Sequence, residues 1–349
     1  MPIKNKLQIY LITYNRKKKF QETLNAILNI NSPIKDFDIT ILDNASTDGT
    51  SELIQEYCVK YPNLKHIRHN VNIGGNANIC RAFEMSASCG KEYFWVLCDD
   101  DKYDFSNWYE VEQEIQKNTD IICLADYVFP NEQEKTNPAY QIFQLTFVPA
   151  GIYKTSLIDN NVLMNMYDAI ITMFQQAVPC IKCINENKKI HVLSKPVVFN
   201  GLHFEDKVEE ESLSYTRGSN EKWVSERRNK TIWIYGFANI ISLLKDKYLQ
   251  QECMEISIPY KDMYGSWENF YNSMYYDYIN VGYAHYFQDI YKMLHPKKQK
   301  VFDDRNDKKK RIYKFIIQHI FSLKNENNKY KILTILGFKI KIKRQKDVN

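Results

Sequence analysis

The chain has 349 residues, enough to bury a substantial core as one large domain or two smaller ones, which excludes a peptide-sized binder. A hydrophobic fraction of 44%, an aromatic fraction of 14%, and only 11 Gly and 10 Pro exclude a largely disordered or collagen-like protein. The net charge of +5 conceals an asymmetry: from Lys297 onward 17 Lys and Arg stand against 5 Asp and Glu, leaving −7 on residues 1–296, so the basic character argues for docking by the tail and no nucleic-acid partner is expected.

No apolar run approaches the length needed to cross a bilayer. Met1-Pro2-Ile3-Lys4-Asn5-Lys6 leads straight into a strand without a signal-type segment, so a cytoplasmic protein is expected. The eight cysteines are scattered through apolar segments, as buried reduced thiols are. Cys180 and Cys183 form the one close pair, and core packing is the reading there because no second pair or histidines at ligand spacing follow.

In chain order, Leu7 to Thr13 reads as a strand, followed by a helix with Phe20, Leu24, Ile27 and Leu28 on one face. Phe37 to Leu42 is a second strand, broken by Asp43 to Gly49, and Leu53, Ile54, Tyr57 and Cys58 mark the next helix. Leu64 to Arg68 is a third, and Asn72-Ile73-Gly74-Gly75 opens a helix with Ala77, Cys80, Phe83 and Ala87 inward. Tyr93 to Cys98 is a fourth strand, Ser106 to Lys117 a helix that Ser106 can cap, and Asp120 to Ala125 a fifth strand. This alternation implies a parallel sheet with helices on both faces. Further on, Phe147 to Tyr153 is a strand or turn, Tyr167 to Ile184 a helix, and His191 to Phe199 two short strands around Pro196. From about Asn220 the chain turns helical, with helices over Ile232 to Leu249 and from about Met263 to Leu294. The expected organisation is therefore a catalytic α/β domain over 1–218 and a mainly helical region with a basic tail over 219–349.

Between Tyr264 and Tyr291 tyrosines crowd together, which suits either core packing or stacking faces for a sugar. Lys329 to Arg344 alternates Lys with Ile around Gly337, predicting an amphipathic hairpin or edge strand. Such a segment suits an anionic membrane surface or a solvated edge guarded by lysines.

The fourth strand runs directly into Asp99-Asp100-Asp101. Ligands of open α/β sheets sit at the carboxyl ends of strands, and three adjacent carboxylates beside a core call for a shared cation. If the chain stays extended, Asp99 and Asp101 point to one side and Asp100 away, giving two hard oxygen ligands for magnesium or manganese. The alternative is a helix N-terminus decorated with acids. Three more polar clusters end the first three strands: Thr13-Tyr14-Asn15-Arg16, Asp43-Asn44-Ala45-Ser46-Thr47-Asp48, and Asn72-Ile73-Gly74-Gly75 with Arg81 beyond. Each alone has a plain reading, such as Asp48 and Thr47 capping a helix or the glycines serving a turn.

Together, in this order and spacing, these motifs resemble a family 2 glycosyltransferase with the GT-A fold, over roughly residues 6–205. The resemblance implies a mostly parallel sheet and an inverting, non-processive transfer of one sugar from a nucleotide-sugar donor, UDP-linked, to a glycan or lipid-linked acceptor of surface polysaccharide synthesis. By resemblance, Thr13, Tyr14, Asn15, Arg16, Asn44, Asn72, Gly74 and Gly75 line the nucleotide pocket, Asp43 reads the base, and Arg81 faces the nucleotide or diphosphate. Asp99 and Asp101 form the DXD motif around Asp100, which with Asp99 also lies against the nucleotide; Asp99 holds ribose or the ion indirectly and Asp101 binds the metal directly, with His203 a further candidate ligand. Relatives carry a Glu-Asp pair at the start of a helix facing the acceptor. The matching region here is Asn165 to Ile170, which makes Asp168 the candidate base and Glu205 and Asp206 its rivals. No Gln-x-x-Arg-Trp motif of processive synthases occurs. Homo-oligomerisation is compatible with the sequence. Two other readings stay open: a sugar nucleotidyltransferase, against which the glycine-free Thr13 to Arg16 loop argues, and a degenerate domain acting as a membrane-docked assembly module.

Overall fold

A computed structural model describes residues 2–170, 174–201, 236–257 and 291–294, short helical stretches between 296 and 312, and strands over 321–326, 330–335 and 338–343. The chain divides into two units, Met1–Met293 and Leu294–Asn349. The boundary expected near Gly218, the region around Tyr264, and His203, Glu205 and Asp206 all lie outside the described residues.

The first unit is built on a seven-stranded sheet. Its strands are β1 (Leu7–Thr13), β2 (Ile39–Asp43), β3 (Leu64–Arg68), β4 (Tyr93–Cys98), β6 (Ile121–Cys123), β7 (Gly151–Lys154) and β8 (Ile190–Val192), in the order β3-β2-β1-β4-β7-β6-β8. The chain steps from β1 to β2 to β3 on one side and then returns to place β4 on the other side of β1. That reversal opens a crevice between the carboxyl ends of β1 and β4, where open α/β sheets bind their ligands. Strands β1 and β4 run parallel with Leu7 beside Tyr93 and Ile12 beside Cys98. Both are buried along nearly their whole length, which is why they read as continuous apolar runs without alternation.

Helices α1 (Lys17–Ile27), α2 (Thr50–Lys60), α3 (Gly75–Ser86) and α4 (Trp108–Gln116) are those expected from the periodicity. The cap before α4 differs: Asp104, not Ser106, accepts a hydrogen bond, from the Ser106 N–H, and a short 3-10 turn precedes the helix. Trp95 and Tyr93 are fully buried in β4, and their polar ends are satisfied by the carbonyls of Pro149 and Thr119.

The sheet is mostly parallel, as the resemblance implies, with β7 inserted between β4 and β6 and antiparallel to both. Gly151 makes that strand possible, since a Cβ there would lie 2.4 Å from the ring of Tyr153. The single helix expected from Tyr167 to Ile184 is two: α6 (Asn160–Asp168), capped by the Asp159 carboxylate on the Val162 N–H, and α7 (Val178–Asn185). Pro179 explains the break, because its ring suits the first helical turn and disrupts an interior one. The helix expected over Ile232 to Leu249 is likewise interrupted: residues 236–241 are helical, and α8 (Lys247–Ser257) begins anew and packs on α5 (Pro138–Gln144).

In the second unit, strands β10 (Phe321–Glu326), β11 (Tyr330–Ile335) and β12 (Phe338–Lys343) form an antiparallel sheet. The hairpin expected around Gly337 is the β11–β12 pair, and β10 is a third strand that the sequence reading missed.

Candidate active site

The four polar clusters converge on the carboxyl ends of β1 to β4, and hydrogen bonds join them. Across the crevice, Thr13 at the end of β1 donates its hydroxyl to Asp99 Oδ2 at 2.6 Å. Arg16, just before α1, donates to Asp99 Oδ1 at 2.8 Å and to Asp100 Oδ2 at 2.6 Å. The Thr23 hydroxyl in α1 donates to the Asp99 carbonyl at 3.0 Å. Tyr14 lies half-buried in the same loop.

The loop after β1 is tied to the loop after β2. Asn15 adopts a left-handed backbone, φ 49°, and its N–H donates to Ser46 Oγ while its side-chain oxygen accepts from the Thr47 N–H at 2.7 Å. Asparagine tolerates that conformation better than most residues. Asp48 accepts from the Lys17 N–H and from Thr50, so it holds the starts of α1 and α2 together, as the capping reading expects. The loop after β3 is bound in turn: Asn44 donates to Asn72 Oδ1 at 2.8 Å and accepts from the Ile73 N–H. Asn72 Oδ1 also accepts from the Gly74 N–H, and Gly74, φ 91°, sits where a side chain would be strained. Gly75 is the first residue of α3.

Asp43, expected to read the base, is the last residue of β2. It has no exposed surface, and its oxygens accept from the Ser46 N–H at 2.8 Å and from the Ser51 hydroxyl. Arg68 Nε stands 3.7 Å away and is itself bonded to Ser51. Burial opposes ionisation of Asp43, but His66, Ser46 and Ser51 outweigh it and hold the carboxyl below its ordinary range. The bonds to Ser46 and Ser51 tie the β2 loop to the start of α2. The neighbouring Asn44 connects that loop to the β3 loop.

The triplet is not extended. The backbone turns at Asp99 and Asp100, so the alternation expected of a strand fails. Asp99 is turned inward to Thr13 and Arg16, while Asp100 and Asp101 come together with Cys98, their ligand atoms within 4.8 Å of one another. The Gly201 N–H donates to Asp101 Oδ1 at 3.2 Å, and β9 (Val198–Phe199) pairs with β5 (Lys102–Tyr103) to bring Gly201 there. A Cβ on Gly201 would lie 1.8 Å from the Asp100 carbonyl oxygen, so only glycine allows this approach. Burial and the neighbouring carboxylates push Asp99 and Asp101 above the usual carboxylate range. For Arg16, burial works against the charge, but Asp99 and Asp100 outweigh it and hold the guanidinium firmly protonated.

This donor set fits a hard divalent ion through oxygen. Burial and the adjacent carboxylates raise the Cys98 thiol well above its usual value, so it stays a neutral thiol and a poor ligand for magnesium or manganese. Among the described residues, Asp100 and Asp101 are the carboxylates that stand together with Cys98, while Asp99 is bonded to Thr13 and Arg16.

Arg81 and Asp168 are not gathered into this network. Arg81 pairs with Glu84 on the exposed face of α3 at 2.6 Å, and Tyr167 donates to the same Glu84 carboxylate. Asp168 is exposed and is the last residue of α6, not the start of a helix. It lies two residues from Ile170, whose carbonyl accepts from Asn76 in the first turn of α3. The sequence reading also passed over Gln175, fully buried before α7 with its side-chain nitrogen on the Asn76 carbonyl at 3.5 Å. Two adjacent glutamines in an apolar run were the available signal.

A doubly wound α/β sheet with a hydrogen-bonded polar crevice and an acidic corner at its switch point defines a nucleotide-binding class of fold. The chain belongs to glycosyl transferase family 2, whose sequence pattern matches residues 8–181, and its fold is of the GT-A type. It is 37% identical over 90 residues to the abequosyltransferase RfbV of Salmonella typhimurium, and 27% identical over 168 residues to the poly(ribitol-phosphate) beta-glucosyltransferase of Bacillus spizizenii. The matches cover 26% and 45% of this chain, and the chain spans 26% of the length of each of these relatives. The mannosyltransferase PcManGT from Pyrobaculum calidifontis, in complex with GDP-Man and Mn2+, has the same fold, with a TM-score of 0.51 over 85% of this chain and 83% of that one at 11% identity. Among the described residues no helix is long and apolar enough to cross a membrane.

Proposed function

We propose that this chain is an inverting, non-processive glycosyltransferase that moves one sugar from a nucleoside diphosphate sugar to a hydroxyl of a glycan or lipid-linked acceptor in surface-polysaccharide synthesis. The observation that carries the reading is the bonded network joining the ends of β1, β2, β3 and β4 around the acidic corner. It is supported by the family and by relatives named an abequosyltransferase and a poly(ribitol-phosphate) beta-glucosyltransferase.

In this reading the nucleotide lies over the crevice, against Tyr14, Asn15 and the Asn44–Asn72 bridge. Asp100 and Asp101 would hold a magnesium or manganese ion, which supplies charge neutralisation of the diphosphate leaving group. Arg16 adds a second cation at the same end of the pocket. Thr13 fixes Asp99, and Asp99 in turn fixes Arg16. A carboxylate on the acceptor side takes the proton of the attacking hydroxyl, and in-line attack inverts the anomeric carbon. Asp168 is the described candidate, with Glu205 and Asp206 its rivals. The tail, with its hairpin of alternating Lys and Ile, is proposed to dock the enzyme on an anionic membrane face.

Calorimetry with UDP, GDP and CDP, with and without manganese, tests the reading, followed by metal-dependent hydrolysis of the matching nucleotide-sugars. Manganese-dependent binding of one nucleotide is expected. Absence of binding by all three favours a non-enzymatic assembly module.

A further inference from the structure

The acidic corner already contains a cation of the protein's own. Arg16 bridges Asp99, whose side chain is 3% exposed, and Asp100, 19% exposed, with its own side chain 31% exposed. Its inner contact is thus anchored in the core and its outer contact lies at the rim. Asp100 is also one of the two carboxylates that stand with Cys98 as the described candidate metal cluster. One carboxylate is therefore shared between the guanidinium and the place where a divalent ion would be held. Two cations on one carboxylate repel each other, and the repulsion is strong where water is partly excluded.

We propose that Arg16 is a positioning residue that makes diphosphate and divalent ion enter as a pair: it occupies Asp100 in the empty site and transfers to the incoming diphosphate, releasing Asp100 as a ligand. The idea rests on the proposed function and concerns its regulation and substrate class. Arginine suits the task because its planar fork of five donors fits phosphate as well as carboxylate, and its long stem lets it pivot. The loop that carries it is fixed by Asn15 on Ser46 and Thr47, so the head moves while the backbone stays. Asp101 is free of this competition: among the described residues its bonding partner is the Gly201 N–H. The site in this state is poor at capturing a bare ion. It selects ligands with enough negative charge to draw the guanidinium away, favouring diphosphate donors over monophosphate ones.

The test is the manganese affinity of the full chain, read by electron paramagnetic resonance, without nucleotide and with UDP, GDP, CDP or the corresponding monophosphates. The variants are Arg16→Gln, Arg16→Met and Arg16→Lys, with thermal unfolding to verify the fold. Without nucleotide, the Gln and Met variants are expected to bind manganese about tenfold or more tightly than the wild type, and the Lys variant to resemble the wild type. The enhancement given by the diphosphate should shrink in the Gln and Met variants by the same factor. Unchanged or weaker binding of manganese alone by whichever of these two folds overturns the proposal, even where a diphosphate binds normally. A chain that binds no diphosphate overturns the proposed function itself and the pairing with it.

Discussion

Replacing Asp43 by Asn separates a base-reading role from the loop-fixing role that the structure gives it. The carboxylate is fully buried and accepts from the Ser46 N–H and the Ser51 hydroxyl, with Arg68 Nε at 3.7 Å. Hydrogen bonds to a buried charged acceptor contribute about 1.5 to 3 kcal/mol each, against about 1 for neutral ones. Two weakened bonds therefore cost roughly 2 to 3 kcal/mol, less than the 3 to 5 typical of stripping a partner from a buried charge altogether. For the Met1–Met293 unit the melting temperature should fall by about 3 to 5 °C. The pH dependence carries the sharper signature. Asp43 has a depressed folded value, so its stabilisation is present above the ordinary carboxylate range and is lost as pH falls through the folded value. Urea unfolding of wild type and variant at a series of pH values reads this directly, and the two curves should converge toward acid. A variant as stable as the wild type at neutral pH, with only nucleotide affinity reduced, would show that the loop-fixing argument is wrong.

Asp101→Asn should abolish manganese-dependent turnover while leaving the melting temperature within a few degrees, and full activity in that variant would remove the ion from Asp101. Gly201→Ala forces the main chain away from the Asp100 carbonyl and breaks the bond to Asp101, so turnover should drop by about a hundredfold, measured against an unchanged far-ultraviolet dichroism spectrum. Asp168→Asn should leave nucleotide binding intact and stop transfer; near-normal turnover would point to Glu205 or Asp206. Asp99 and Asp101 have raised values in the folded state, so their contribution to stability is complete below the ordinary carboxylate range and is lost as pH rises through the raised values. In a chelator, the wild type should therefore lose stability from about pH 4 up to about pH 8, and a flat profile would contradict the burial argument.

The sequence by itself determined the architecture and the address of the site. Buried central strands must be continuous apolar runs, and the helices between them must carry an apolar face, so β1 to β4 and α1 to α4 stand close to where periodicity puts them. Polar residues ending these four strands fall at one edge of the sheet whatever the details, because β1 to β4 all point the same way. Which partner each side chain takes there was decided only by tertiary contacts. Asp43 and Asn44 are neighbours in the chain, yet one is buried beneath Ser46 and Ser51 while the other bridges to Asn72, a partition set by the packing of β2 against β3. Asp99 is bonded to Thr13 and Arg16, which are more than eighty residues away, and the backbone turns there, so the strand alternation expected of the triplet fails. Arg81 and Asp168 fitted a motif by spacing, but Arg81 pairs with Glu84 one turn further along α3, and the chain breaks before Pro179, so that Asp168 ends α6 and does not start a helix. Local pattern encodes period and polarity along the chain; the partner of a buried charge is chosen by the three-dimensional proximity of distant segments, and one sequence read in order does not contain that distance.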